Sequence, residues 1–327
     1  MIKSKARITA IGSYVPERRL TNDDLEKMVE TNDEWIIQRT GIKERRIASE
    51  DEFTSDISYK AVKSLMERYD KSVDDVDMII VCTLTPDFKT PSVASYIQAK
   101  LGIKNTGAMD INVACAGFTY GLYMANGLIT SGLNKKVLVV GAETLTKVTD
   151  YTDRSTCILF GDGGGAVLVE YDEQQPSFIS SHLSSEGEKG NSLYSTNLSK
   201  TMNGNDLVGN GCIVQNGREV YKWAVTTVPK GMQSVMKNTS IELGNVDWFV
   251  PHSANLRMIE SICEKSGFPI ERTLYSLVNY GNTSSASIPL ALDKAVREGK
   301  IKNGNKILLY GFGGGLAQAG LLIEWTI

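Results

Sequence analysis

The sequence repeats itself at long range. VDMIIV at 76–81 returns as VDWFVP at 246–251, and KVLVVG at 136–141 returns as KILLYG at 306–311, both at an offset of 170 residues. AVLVEY at 166–171 and GLLIEW at 320–325 close the two series in the same order. Three ordered matches imply two half-chains of like strand order, 1–172 and 173–327, joined within 172–217. The matched runs are short and rich in Val and Ile, as strands buried on both faces are. Helix-period stretches at 58–69 and 221–237 lie between them. Such alternation predicts an α/β protein with mostly parallel sheets, two of them, packed through shared helices. The Ser-, Asn- and Gly-rich stretch 173–216 breaks the pattern and reads as an irregular excursion over the second half. Loops of that length are either functional or loosely ordered connections.

Composition limits the chemistry. Basic and acidic side chains number 35 and 38, a net charge of −3, which supplies no general attraction for nucleic acid. Only two histidines, His182 and His252, are present, and the five cysteines show no CxxC spacing, so no metal site is expected. An odd number of unclustered cysteines reads as reduced thiols in a cytoplasmic protein. The uncharged run 307–323 approaches membrane-span length, but it holds five glycines and a Gln. Two buried strands around a glycine turn explain it better than a membrane helix.

The repeat also locates where the halves differ. Asn112 falls opposite Asn282, so NVACAGF aligns with NTSSASI and Cys115 with Ser285. Both segments follow a strand-like run and precede helix-like stretches, 119–131 and 288–298, so each is a strand-to-helix elbow. Only the first carries a thiol. At a helix N-terminus, unpaired N–H groups favour thiolate, and activated thiols fall to roughly 3.5–7.5 from a free value of ~8.5. The alternative for Cys115 is a small buried hydrophobe. His252 follows VDWFVP, at the carboxyl end of a strand where α/β crevices form; a satisfied loop histidine competes with that reading. Asn282 suits an Asx-turn or cap as well as a site, and His182, within SSHLSS, reads as simply exposed.

GDGGGA at 161–166 fits the relaxed G-x-G-x-x-A pattern, yet a strand follows it instead of a helix, so dinucleotide binding is rejected. Neither that loop nor GFGGG at 311–315 ends in the Lys-Ser/Thr of a phosphate loop. The second glycine loop allows close backbone approach and could aim an N–H at a reacting oxygen.

With these residues in place, the chain resembles the β-ketoacyl-acyl-carrier-protein synthase III family over essentially its whole length. The matching stretches are TNDEWIIQRTGI, NVACAGF, YTDRST, FGDGGGAVL, NGREVYKWA, PHSANLR, NYGNTSSASIPLAL and GFGGG. The resemblance implies a thiolase-like five-layer αβαβα fold from two similar halves, the first carrying the nucleophile and the second the His and Asn. It implies catalysis by Cys115, His252 and Asn282, with the N–H groups of Cys115 and Gly315 as oxyanion hole. Substrates would be an acyl-CoA primer and malonyl-acyl-carrier protein, with no cofactor or metal, in a cytoplasmic homodimer. Trp35, Arg39, Arg154, Gly217 and Asn255 match positions that bind CoA, and Arg218, Lys222 and Arg257 are the expected carrier-protein contacts.

Two departures stand out. The usual HQAN is HSAN here, with Ser253 in place of Gln, and the glycine turn continues as GGGLAQAG. Thr90 falls where some relatives place Phe at the end of the acyl pocket, which suggests a roomier pocket for branched or longer primers. A degradative thiolase is disfavoured, since Gly311 and Phe312 stand where that chemistry needs a second Cys. A relative priming a secondary-metabolite pathway and a non-catalytic carrier-binding subunit are the remaining alternatives; the latter would be expected to lose the nucleophile.

Overall fold

The structure is a computed structural model, and it describes residues 3–237 and 239–327. The first sheet collects β1 (Ala6–Tyr14), β2 (Met78–Cys82), β3 (Gly107–Ile111), β4 (Lys136–Thr144) and β5 (Asp162–Tyr171), in the order β1-β5-β4-β2-β3. The second collects β6 (Phe178–Ser185), β7 (Trp248–Pro251), β8 (Lys306–Gly313) and β9 (Ala317–Glu324), in the order β6-β9-β8-β7. Shifting the first four strands by the repeat reproduces the second order. The place of β3 is taken in the second half by a single parallel bridge between Phe249 and Thr273.

Seven helices position the site: α1 (Asp33–Thr40), α2 (Thr54–Tyr69), α3 (Val93–Leu101), α4 (Gly117–Thr130), α5 (Gly217–Met236), α6 (Leu256–Ser266) and α7 (Ser287–Arg297). Helices α2 and α3 cover the outer face of the first sheet, α5 and α6 that of the second, and α4 and α7 lie between the sheets. This is a five-layer αβαβα arrangement. The central layer is apolar: Phe118, Leu122, Ile288 and Leu292 pack with Val137, Val139, Ile307 and Leu309. Each such side chain contributes roughly 1.5–3 kcal/mol on burial. The helices begin earlier than their apolar periodicity suggests, because capped first turns are polar. Asp56 accepts from Phe53 N at the start of α2, and Asn216 from Glu219 N at the start of α5.

Two expectations need correction. The sheets are mixed: β2 pairs parallel with β3 and β4, and β7 with β8, whereas β5 and β9 are antiparallel to both of their neighbours. Glycines close the β8–β9 hairpin directly, so no crossover is needed. The stretch 173–216 is not wholly irregular either. Its Ser-rich segment Phe178–Ser185 is β6, an edge strand in which His182 is half-buried opposite Gly320. Polar composition hid it, since an edge strand has less apolar surface to bury.

Candidate active site

Cys115 sits in a turn, Ala114–Ala116, that leads directly into α4. Ala114 takes a left-handed φ of 43°, and its N–H bonds to Asn112 Oδ1 at 3.2 Å. The second elbow copies this geometry: Ser284 has φ 47°, and its N–H bonds to Asn282 Oδ1 at 2.9 Å. Left-handed conformations cost non-glycine residues about 1–2 kcal/mol, so both elbows carry local strain. Their side chains diverge in use. Cys115 opens on a cavity, whereas Ser285 Oγ lies 2.7 Å from Cys82 O and 2.9 Å from Glu143 Oε1, tied into the first half.

One cavity of about 1630 Å³ gathers the predicted residues. Cys115, His252, Asn282 and Gly315 line its depth, with Ser284, Phe312, Gly313 and Gly314. Asn282 is held at both backbone groups, its N–H donating to Leu159 O at 2.8 Å and its carbonyl accepting from Gly161 N at 3.0 Å. Its Oδ1 is occupied by Ser284 N–H, which leaves the amide hydrogens for a ligand. His252 N–H donates to Tyr310 O at 2.8 Å at the end of β7, and its ring meets Phe312 edge-on with centroids 5.3 Å apart.

Electrostatically, Cys115 and His252 are both shaped by burial. Burial pushes the Cys115 thiol up to about 11, against the lowering effect of the nearby Ser284 hydroxyl and of the N–H groups of Gly314 and Cys115 itself. The thiolate-favouring effect expected at the helix start is present but loses to desolvation, so the resting group is a thiol. Burial also lowers His252 to about 3, opposed by a hydrogen bond to the Ser284 backbone, so the imidazole is neutral near pH 7. In the glycine turn the N–H of Gly314 faces the sulfur, and Gly315, the residue expected in the oxyanion hole, lines the cavity beside it. Gly313 explains the close approach: a Cβ there would lie 2.7 Å from Cys115 Cβ.

Towards the mouth, Trp35 carries Arg154 at 5.1 Å and Arg39 at 5.7 Å from its ring centroid. Trp35, Arg39, Gly217 and Asn255 line the cavity, with Arg154 beside it. Asn255 Oδ1 caps α6 through Met258 N at 3.2 Å. Arg218 and Arg257 are exposed at the rim; Lys222 is exposed on the next turn of α5 but does not line the cavity. Arg257 is partly committed, to Gln38 O at 2.8 Å and Glu260 at 3.3 Å.

Thr90 is exposed and lines, with Phe88 and Met109, a cavity of about 440 Å³ that adjoins the larger one through Pro86, Lys89 and Asn112. The departures from the family pattern are structural. Ser253 is fully buried and its Oγ accepts from Ser276 N at 3.0 Å, while Gln318 accepts from Tyr310 Oη at 2.7 Å. Sequence reasoning missed Ser284, Ser287 and Gly314. Ser284 was reachable through the repeat, as the counterpart of Ala114.

A duplicated α/β fold in which a Cys elbow, a strand-end His and an elbow Asn meet in one cavity defines a thiolase-fold condensing enzyme, an acyltransferase. The model of 3-Oxoacyl-[acyl-carrier-protein (ACP)] synthase III matches residues 109–187, and that of its C-terminal part matches 236–325. The chain belongs to the 3-oxoacyl-[acyl-carrier-protein] synthase III family. It is 74% identical over 324 residues to beta-ketoacyl-[acyl-carrier-protein] synthase III 2 of Halalkalibacterium halodurans, covering 99% of this chain and 98% of that one. The crystal structure of the Thermus thermophilus synthase III superposes with a TM-score of 0.94 at 42% identity, covering 98% and 99% of the two chains. The priming beta-ketosynthase of the R1128 polyketide pathway is also similar, with a TM-score of 0.91 at 34% identity over 98% and 96%.

Proposed function

We propose that this chain condenses an acyl-CoA primer with malonyl-acyl-carrier protein, giving 3-oxoacyl-carrier protein and so starting fatty-acid synthesis. The observation that carries this reading is the meeting of Cys115, a neutral His252 and Asn282 in one cavity. In the first half-reaction the Cys115 sulfur attacks the thioester carbonyl and CoA leaves as its thiol, taking up the proton that Cys115 gives up. The N–H groups of Cys115 and Gly314 are suited to the oxyanion. Because the resting sulfur is protonated, deprotonation accompanies attack and no standing thiolate is required.

In the second half-reaction, malonyl-carrier protein loses carbon dioxide and an enolate forms. Its oxygen needs donors, and a neutral imidazole N–H with the Asn282 amide supplies two without a competing positive charge. The enolate carbon then attacks the acyl-enzyme, and the released Cys115 sulfur regains a proton. No metal or cofactor enters this scheme, since the CoA thioester is a substrate. Trp35, Arg39 and Arg154 suit the adenine and phosphates of CoA, with Gly217 and Asn255 along its pantetheine arm. Arg218, Lys222 and Arg257 offer an acidic carrier a local basic rim despite the net negative charge.

We place the enzyme in the cytoplasm as a homodimer. Exposed Phe88 and Tyr96, paired edge-to-face beside the edge strand β3, support self-association. Incubation with acetyl- or isobutyryl-CoA is expected to add one acyl mass to the intact protein, and the Cys115→Ala variant is expected to show none. A wild-type protein that takes no adduct from any primer would overturn the reading.

A further inference from the structure

A hydroxyl touches the His252 imidazole at Nδ1. Ser287 Oγ lies 2.8 Å from His252 Nδ1, and the same oxygen accepts the Ser253 N–H at 3.2 Å. Among the described residues these are its only hydrogen-bond partners. The Ser253 N–H is a donor, so of these two partners only Nδ1 can take the Ser287 hydroxyl proton, and the ring N–H that meets the Ser284 backbone is then Nε2–H. A neutral imidazole that accepts at Nδ1 carries its hydrogen on Nε2.

The hydroxyl is itself held. Ser287 is fully buried at the first turn of α7, and its carbonyl accepts from Ser276 Oγ at 3.1 Å. Ser276 N–H in turn donates to Ser253 Oγ at 3.0 Å. Three serines thus form a closed set around the imidazole, and one of them is the Ser253 that departs from the usual HQAN. Phe312, packed edge-on against the ring, limits its rotation.

We propose that Ser287 is a positioning residue that fixes His252 in the Nε2–H tautomer, so that the ring carries a donor, not a lone pair, on the side of Ser284 and the cavity, where a bound enolate oxygen would replace the Ser284 carbonyl as its acceptor. The catalytic consequence rests on the proposed condensation, in which the enolate oxygen takes that donor. The tautomer itself does not depend on it. Ser287 therefore acts on the decarboxylation half-reaction more than on acylation of Cys115.

The presence of only two histidines makes the test direct. Long-range ¹H–¹⁵N spectra of ¹⁵N-histidine-labelled protein, assigned with His182→Ala, are expected to show the Nε2–H tautomer for His252 at pH 7. Ser287→Ala is expected to populate both tautomers and to slow malonyl-carrier decarboxylation on the order of 10- to 100-fold. Acyl transfer to Cys115, followed by intact mass, is expected to change less than about 3-fold, since the Cys115 and Gly314 N–H donors remain. Ser287→Thr, which keeps the hydroxyl, is expected to restore the single tautomer. An Nδ1–H tautomer in the wild type, or an unchanged spectrum in folded Ser287→Ala, overturns the proposal; if the variants do not fold, the wild-type spectrum decides alone. A wild type with the Nε2–H tautomer but no acyl adduct would overturn the condensation and leave the tautomer assignment standing.

Discussion

At the scale of single residues, desolvation sets the chemistry of the site. It raises the Cys115 thiol and lowers the His252 imidazolium by the same physical route, because each charged form loses its water on burial. A neutral thiol and a neutral imidazole result, not the thiolate that a helix N-terminus alone suggests. His252 has a consequence for stability. Its folded value near 3 lies below its ordinary 6.5, so the stability it contributes is present above the unfolded value and is lost as pH falls through the folded one. Between pH 7 and pH 5 this costs the wild type about 2 kcal/mol. Denaturant unfolding at the two pH values is expected to show a smaller acid loss in His252→Ala, by about that amount; equal losses would mean that the ring is not held neutral. Cys115, His252 and Asn282 were legible as candidates from their elbows and strand end. Their charge states were not, since burial is set by residues far away in the chain.

Among the elements, the two elbows show how local sequence and packing divide the work. Asn at the first position supplies the same Asx-turn in both halves, through Asn112 to Ala114 and Asn282 to Ser284. The turn was therefore readable, although its left-handed second residue was not, because Ala and Ser rarely adopt that conformation without tertiary support. The helix α5 shows the opposite dependence. Its Gly231 faces Tyr310 so closely that an added Cβ would fall 1.6 Å from Tyr310 Oη and 2.8 Å from Gln318 Oε1. The GGGLAQAG departure is thus matched by a Tyr–Gln hydrogen bond and a glycine on the facing helix, away from Cys115. Gly231→Ala gains about 1 kcal/mol of helix propensity, but the overpacking is expected to leave a net loss of about 1–2 kcal/mol in unfolding free energy. Combining it with Tyr310→Phe is expected to recover part of that loss; no recovery would place the clash elsewhere.

For the whole molecule, duplication builds one site from two unequal halves. Glu143, fully buried in the first half, accepts from Thr83 and Thr85 of its own half and from Ser285 of the other. The second elbow is thereby used as a joint. A thiol placed there would face protein and not substrate, so Ser285→Cys is expected to take up a single acyl group, still at Cys115, and to lose about 1 kcal/mol of stability as Glu143 loses a strong donor. Two adducts by intact mass would show that the second elbow reaches the cavity.

Sequence alone determined the repeat, the buried strands, the two elbows and which of them carries a thiol, because these follow from periodicity and residue identity along short segments. Only the tertiary structure decided that Phe178–Ser185 completes the second sheet, that the N–H of Gly314 faces the sulfur, that Thr90 is exposed in a smaller cavity adjoining the larger one, and that three serines hold the histidine. Those outcomes depend on contacts between residues more than a hundred positions apart, or on hydrogen-bond directions within a buried cluster, and neither leaves a periodic trace in the chain.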